Sequence, residues 1–227
     1  MSDIADPQTI GHSVVNGHSE PALGSAYATF GKRALDIALA IALLPMIAPV
    51  IAVLWLLARK DGGSGFYGHR RIGRDGTPFT CWKIRTMICN AEEILEAHLA
   101  SNPTAAEEWA QSRKLTHDPR ITSFGNFLRR SSLDELPQIW SVLRGHMSFV
   151  GPRPIVRCEL PKYGVHAGAY LGQRPGITGL WQVSGRNDVS YAERVQFDVT
   201  YARKCGLIYD LKLMLLTGRA VVNKTGR

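Results

Sequence analysis

Cysteine is scarce and unpaired in this 227-residue sequence. The four present, Cys81, Cys89, Cys158 and Cys205, form neither a C-x-x-C pair nor the close, even spacing of a disulfide framework. That excludes a disulfide scaffold and a cysteine-held metal, and it reads as reduced thiols in a cytosolic compartment. No internal repeat is visible, which sets solenoid architectures aside. No small-residue cleavage site follows the one long apolar run, so that run is not a secretory signal. Acidic residues are also in deficit, 19 against 27 Lys and Arg, for a formal net charge of +8. This balance favours a polyanionic partner, whether nucleic acid, an anionic membrane or a phosphorylated small molecule, and composition does not choose among them.

What is present begins with 22 consecutive uncharged residues, Ile37 to Ala58, enough to cross a hydrocarbon core. Lys32-Arg33 precede them and Arg59-Lys60 follow, so the bias of cations toward the cytoplasm gives no orientation. Pro45 and Pro49 predict a sharp kink, because each removes a backbone donor and clashes with the preceding turn. A helix that bends and returns to the same face fits these features, and so does a straight spanning helix with a mild kink. Asp36, three residues after Arg33, reads as an i,i+3 ion pair at the interface. The polar stretch before the helix, residues 1–28, is expected to be a disordered tail.

After the apolar run, Phe66 to Arg74 and Pro78 to Arg85 read as two short strands joined by a turn at Asp75-Gly76. Lys83 and Arg85 alternate along the second strand, which predicts that both lie on one face, as a phosphate clamp needs. Two short helices are expected over Ala91–Ala100 and Thr104–Lys114, and further helices over Tyr191–Lys204 and Leu207–Val222. The last mixes leucines with Lys212 and Arg219 and suits a membrane surface.

The most informative segment is Ser131-Ser-Leu-Asp-Glu-Leu-Pro-Gln138. It sets two adjacent carboxylates, Asp134 and Glu135, among the cations Arg129, Arg130 and Arg153. A carboxylate works at phosphorus only where positive charge cancels the mutual repulsion, so this pattern points to phosphate chemistry. A plain capping box from Ser132 to Glu135 competes with that reading. Pro137 weakens the box, because it moves the helix start to Leu133 or Asp134 and so places Asp134 at a positive helix end. The glycine-rich stretch from Arg174 to Asn187 reads either as a pair of tight turns or as a nucleotide cradle in which Trp181 offers a flat surface.

These motifs, in this order, resemble the bacterial sugar transferases, the monotopic phosphoglycosyl transferases. The resemblance covers nearly all of residues 32–217, through Lys83-Ile-Arg85-Thr-Met87, Asp118-Pro-Arg120, Ser132-Leu-Asp-Glu-Leu-Pro-Gln138, Val150-Gly-Pro-Arg-Pro154, Arg174-Pro-Gly-Ile-Thr-Gly-Leu-Trp-Gln182 and Gly185-Arg186. Its texture is most similar to the subgroup that begins exopolysaccharide synthesis. It implies an α+β, mainly helical, monotopic membrane fold with a proline-broken re-entrant helix (29–60), a short β-hairpin and interfacial amphipathic helices. The remainder, 61–227, would be a catalytic domain on the cytoplasmic face of the bacterial inner membrane.

The resemblance further implies that Asp134 attacks the sugar-proximal phosphorus of a UDP-hexose, galactose or glucose, and that undecaprenyl phosphate then accepts the phosphosugar. Asp134 and Glu135 would hold Mg²⁺, and Lys83, Arg85, Arg129, Arg153, Arg174 and Arg186 would bind substrate. Anionic membrane lipids, downstream glycosyltransferases and a second copy in a homodimer are the expected partners, and nucleic acid is not. Two other classes compete: a membrane-tethered nucleic-acid module, supported by charge alone, and a non-catalytic scaffold of a polysaccharide machine.

Overall fold

The computed structural model describes residues 26–112, 114–184 and 189–222; of the tail expected over 1–28, residues 1–25 lie outside the described residues. A π-helical turn, Tyr27–Gly31, leads into helix α1 (Lys32–Ala58), which runs unbroken through Pro45 and Pro49. The expected break is therefore absent. The two prolines withhold N–H groups from the carbonyls of Ile41 and Pro45, one turn apart on an exposed face, so the docked face keeps its ladder. At 27 residues the helix is about 40 Å long.

Asp36, Ala40, Leu54 and Ala58 are buried, and Leu43, Leu44, Ile47 and Ile51 pack between them, a stripe at helical spacing. The stripe meets Phe79, Cys81, Ile139, Val142 and Met147 along its first half, then Ile84 and Leu128 at its end. The opposite face is just as apolar and uncovered, with Ile41 61%, Met46 66% and Leu56 60% exposed. A helix facing water on that side would carry polar residues there.

Polar contacts fix both ends of α1 to one folded body. Lys32 Nζ donates to Asp210 Oδ2 at 2.6 Å and to Tyr201 OH at 2.8 Å. Arg33 donates to the carbonyls of Val142 (2.6 Å) and Leu143 (2.9 Å), which close the short helix α5 (Ile139–Leu143). Asp36 Oδ1 accepts from Ser148 Oγ at 2.9 Å and Phe149 N at 3.0 Å. The expected Arg33–Asp36 pair is thus replaced, because the body offers each a partner in a better position. At the far end Arg85 Nη2 donates to the Ala58 carbonyl at 2.6 Å.

Strands β1 (Phe66–Ile72) and β2 (Pro78–Ile84) form the expected antiparallel hairpin. Its connection carries Asp75 and Gly76 at φ 56° and 75°, the left-handed geometry that Asp-Gly supplies cheaply. Helices α2 (Ala91–Ser101) and α3 (Pro103–Ser112) match the expected pair. Helix α4 (Ser123–Ser131) follows, capped by Thr122 Oγ1, which accepts from Gly125 N at 2.8 Å. Gly125 is required there, since a Cβ would overlap the Thr86 carbonyl. A short parallel sheet pairs β3 (Ser148–Val150) with β4 (Gly176–Thr178), and α7 (Leu180–Ser184) comes next. Within the glycine-rich stretch, Gly176–Thr178 is therefore a strand and Leu180–Ser184 a helical turn, while Gly185 to Asn187 lie outside the described residues.

The 3₁₀ turns of Arg157–His166 and helices α6 (Ala167–Leu171) and α8 (Tyr191–Lys204) enclose a second core of Ile72, Ile155, Tyr163, Tyr170, Val195 and Val199. Helix α9 (Leu207–Val222) buries Asp210 and Leu213 while leaving Ile208 84% and Leu215 72% exposed.

Beside the second core Asp198 is 1% exposed and accepts from Tyr163 OH at 2.7 Å. Burial pushes its carboxyl up to about 7, against roughly 3.9 in an unfolded chain. The folded state therefore holds a proton that the unfolded state releases, so this contribution to stability is full below about pH 4 and is lost as pH rises through about 7. Asp198→Asn is expected to be more stable than the wild type at pH 8 and to lose that advantage by pH 4, measured by denaturant unfolding. An unchanged difference across that range would contradict the burial argument.

Candidate active site

Helix α4 ends at Ser132, whose φ of 57° and ψ of 19° are left-handed. For a non-glycine residue this costs roughly 1 kcal/mol, and it turns the chain straight into a six-residue 3₁₀ helix, Leu133–Gln138. Ser132 makes no side-chain cap, so the capping box does not form. The 3₁₀ geometry accommodates Pro137 and starts the helix at Leu133. So short a helix has little macrodipole, and the charge around Asp134 comes from side chains instead.

Asp134 is 7% exposed. Lys83 Nζ lies 3.6 Å from its Oδ2 and 2.6 Å from Glu135 Oε1. Burial raises the Asp134 pKa and Glu135 adds to the rise, while Lys83 and Arg129 oppose it. On Lys83 burial works against the charge, but Glu135 and Asp134 outweigh it and the pKa is raised. Arg129 is steered by its Nε–H to Thr86 Oγ1 at 2.9 Å. The arrangement is a buried carboxyl with two cations near it and a second carboxylate alongside.

Arg85, Arg174 and Arg153 rest on partners other than the carboxylate pair. Arg85 turns away from Lys83 because β2 ends at Ile84, and its guanidinium closes on Asp61 and on the carbonyls of Ala58, Ser64 and Met87. It does not share the Lys83 face as expected, and its donors are taken up by the chain's own acceptors. Arg174 Nε donates to the Gly145 carbonyl at 2.8 Å, beside Arg33 and Arg74. Arg153 stands over Trp181, 5.3 Å from the ring centre. Arg186 lies outside the described residues.

Three residues around the pair or on the strand face leading from it escaped the sequence reading: Thr86, His69 and Arg71. The register sets Tyr67 opposite Lys83, His69 opposite Cys81 and Arg71 opposite Phe79, so alternation alone could have placed His69 and Arg71 on the Lys83 face. Arg71 donates to His69 Nδ1 at 3.2 Å and to the Pro154 carbonyl at 3.2 Å. Burial, then Arg71 and Lys83, lower the His69 pKa, which keeps the imidazole neutral and its Nδ1 an acceptor. This row leads from Lys83 toward the Pro152–Pro154 loop.

Among the described residues no cluster of three His, Cys, Asp or Glu could hold a metal ion. The adjacent carboxylates Asp134 and Glu135 nonetheless have the donor chemistry of a magnesium site completed by substrate phosphate. In this state the Lys83 ammonium holds Glu135.

Comparison with known proteins gives the same direction. The family model described as bacterial sugar transferase matches residues 27–224. The undecaprenyl-phosphate galactose phosphotransferase of Salmonella typhimurium is 45% identical over 215 residues, covering 95% of this chain and 45% of that protein. The UDP-galactose-lipid carrier transferase of Erwinia amylovora is 46% identical over 197 residues, covering 87% and 41%. The chain thus spans less than half the length of these two. The exopolysaccharide production protein ExoY of Sinorhizobium fredii is 50% identical over 196 residues, covering 86% of this chain and 87% of its own length. With the family model extending over most of the chain, and with a half-identical relative matched along nearly its whole length, this protein belongs to the bacterial sugar transferase family.

Proposed function

We propose that the chain is a phosphoglycosyl transferase that moves hexose 1-phosphate, galactose or glucose, from a UDP-hexose to undecaprenyl phosphate as the first step of exopolysaccharide repeat-unit synthesis. The observation that carries this reading is the buried Asp134 carboxylate, flanked by Glu135, with Lys83 3.6 Å away and Arg129 near enough to act on its charge. An Asp134 oxygen attacks the sugar-proximal phosphorus, and the bond from that phosphorus to the bridging oxygen breaks, so UMP departs with the electron pair. An oxygen of undecaprenyl phosphate then attacks the same phosphorus and releases the carboxylate, leaving hexose diphosphate on the lipid. Lys83 and Arg129 offset the charge that two anions bring together. Asp134 and Glu135 would hold magnesium, which would supply further neutralisation of the phosphate charge.

The acceptor's long chain keeps the reaction at a lipid boundary. The bare face of α1 and the exposed leucines of α9 suit that place. Because both ends of α1 are tied to one body, we read the unbroken helix as lying along the membrane with its bare face toward lipid and both ends on the side of the body, the cytoplasmic face of the inner membrane. The lipid-linked product would pass to glycosyltransferases that extend it.

Incubation with labelled UDP-galactose or UDP-glucose, Mg²⁺ and undecaprenyl phosphate is expected to place label in lipid and release UMP. Omission of lipid should leave a phosphohexose adduct on Asp134, read by mass spectrometry. Absence of label with either donor would return the scaffold reading. For the membrane placement, cysteines at the exposed Phe30 and Lys60, with Cys89 and Cys158 replaced by serine, should react with an impermeant reagent from the same side. Reaction from opposite sides would make α1 a spanning helix.

A further inference from the structure

Away from the carboxylate pair, one cluster has a composition that packing does not explain. Trp181 of α7 lies under two guanidiniums, with the central carbon of Arg194 4.7 Å from its ring centre and that of Arg153 5.3 Å away. Arg194 and Asp198 stand one turn apart on α8. Arg153, Arg194 and Lys114 are near enough to act on one another's charge, and both arginines act on Asp198. Three buried polar atoms here have no hydrogen-bond partner: Trp181 Nε1, Arg194 Nε and Asp198 Oδ1. Buried polar atoms are rarely left so, because each unmet group costs about 1–3 kcal/mol. Three in one cluster point to a ligand that meets them.

The three atoms are two donors and one acceptor. A phosphate offers acceptors only and would set its charge against Asp198. The imide edge of a uracil ring offers two carbonyl acceptors and one N–H, the complement of this set. Position agrees with that. The hairpin face carrying Lys83, His69 and Arg71 runs from Asp134 to the Pro152–Pro154 loop beside Arg153. Four strand steps lead from Lys83 to Phe79, the partner of Arg71, a distance of about 13 Å and comparable to the span of a nucleoside diphosphate.

Resting on the UDP-hexose donor argued above, we propose that Trp181, Arg194 and Asp198 form the subsite for the uracil ring. All three atoms are closed to solvent here, so the ring enters as the Arg194 side chain lifts from Trp181.

Trp181→Phe keeps the ring on which both arginines pack and removes the N–H, so it tests the hydrogen bond apart from the fold. Calorimetry of UMP and CMP binding at pH 8, with the full chain in lipid nanodiscs, reads the subsite without turnover. Wild type is expected to favour UMP over CMP. Trp181→Phe should weaken UMP and raise the UDP-hexose KM about tenfold each, the loss of one hydrogen bond, with the KM for undecaprenyl phosphate unmoved. Asp198→Asn should narrow the UMP over CMP preference. Wild-type affinity for UMP in both variants, with preference and KM intact, would overturn the subsite and leave the proposed function standing. UMP binding that responds as expected in a protein that labels no lipid would overturn the function and leave the subsite.

Discussion

Asparagine at position 134 is expected to lower phosphosugar transfer by about 10³-fold or more and, at the same time, to raise the melting temperature. The loss follows if the side chain is the attacking group, because an amide neither attacks phosphorus nor leaves from it. The gain follows from burial. Desolvation raises the Asp134 pKa above that of an unfolded chain, so the stability linked to its proton is full below the unfolded value of roughly 3.9 and is lost as pH rises through the folded one. Asparagine imitates the neutral form at every pH. Lys83 is not orphaned, since Glu135 remains 2.6 Å from its ammonium. An increase of about 1 kcal/mol would move Tm by roughly 2–4 °C for a chain of this size. Label in lipid equal to wild type would remove Asp134 from the mechanism. A lower Tm near neutral pH, vanishing in acid, would mean that its pairing with Lys83 outweighs desolvation.

The elements that local chemistry dictates were legible in the residues. Helices α8 and α9 fall at the expected bounds, because apolar residues at helical spacing and a Ser190–Glu193 capping box act within a few residues. The hairpin was legible from the Asp75-Gly76 turn and the alternating strands. What could not be read depends on where distant segments meet. Asp36 stands beside Arg33 in sequence, yet its partners Ser148 and Phe149 are more than a hundred residues away. The strand in the glycine-rich stretch exists only because β3 lies alongside it, and nothing between Arg174 and Thr178 signals that. Asp134 with Glu135 was visible as an anomaly of charge, and Lys83 by strand alternation. Trp181 beside Arg194, with Asp198 one turn further along α8, was not, since only one of the three belongs to the segment that looked functional.

Arg85 is engaged by the chain's own acceptors, and Arg85→Ala is expected to damage stability instead of substrate binding. Its guanidinium meets three carbonyls, Ala58, Ser64 and Met87, as well as Asp61, with only 11% of the side chain exposed. The hydrogen bonds hold the exposed Asp61 down to about 2, so this pairing supports the fold above pH 4 and fades as pH falls through about 2. Alanine would leave the closing carbonyl of α1 unpaired beside the packed pair Leu54 and Ala58, at a cost on the order of 3 kcal/mol. That corresponds to a Tm lower by roughly 10 °C. Amide exchange should accelerate from Leu54 to Lys60, where the helix end loses its tie to the hairpin. Lysine would restore little, since one ammonium cannot reach the acceptors that a planar fork spans. The KM for UDP-hexose, measured on the folded fraction, should stay at the wild-type value. An Arg85→Ala protein of normal Tm with a raised donor KM would restore this arginine to the phosphate site and show that the guanidinium leaves α1 when substrate arrives.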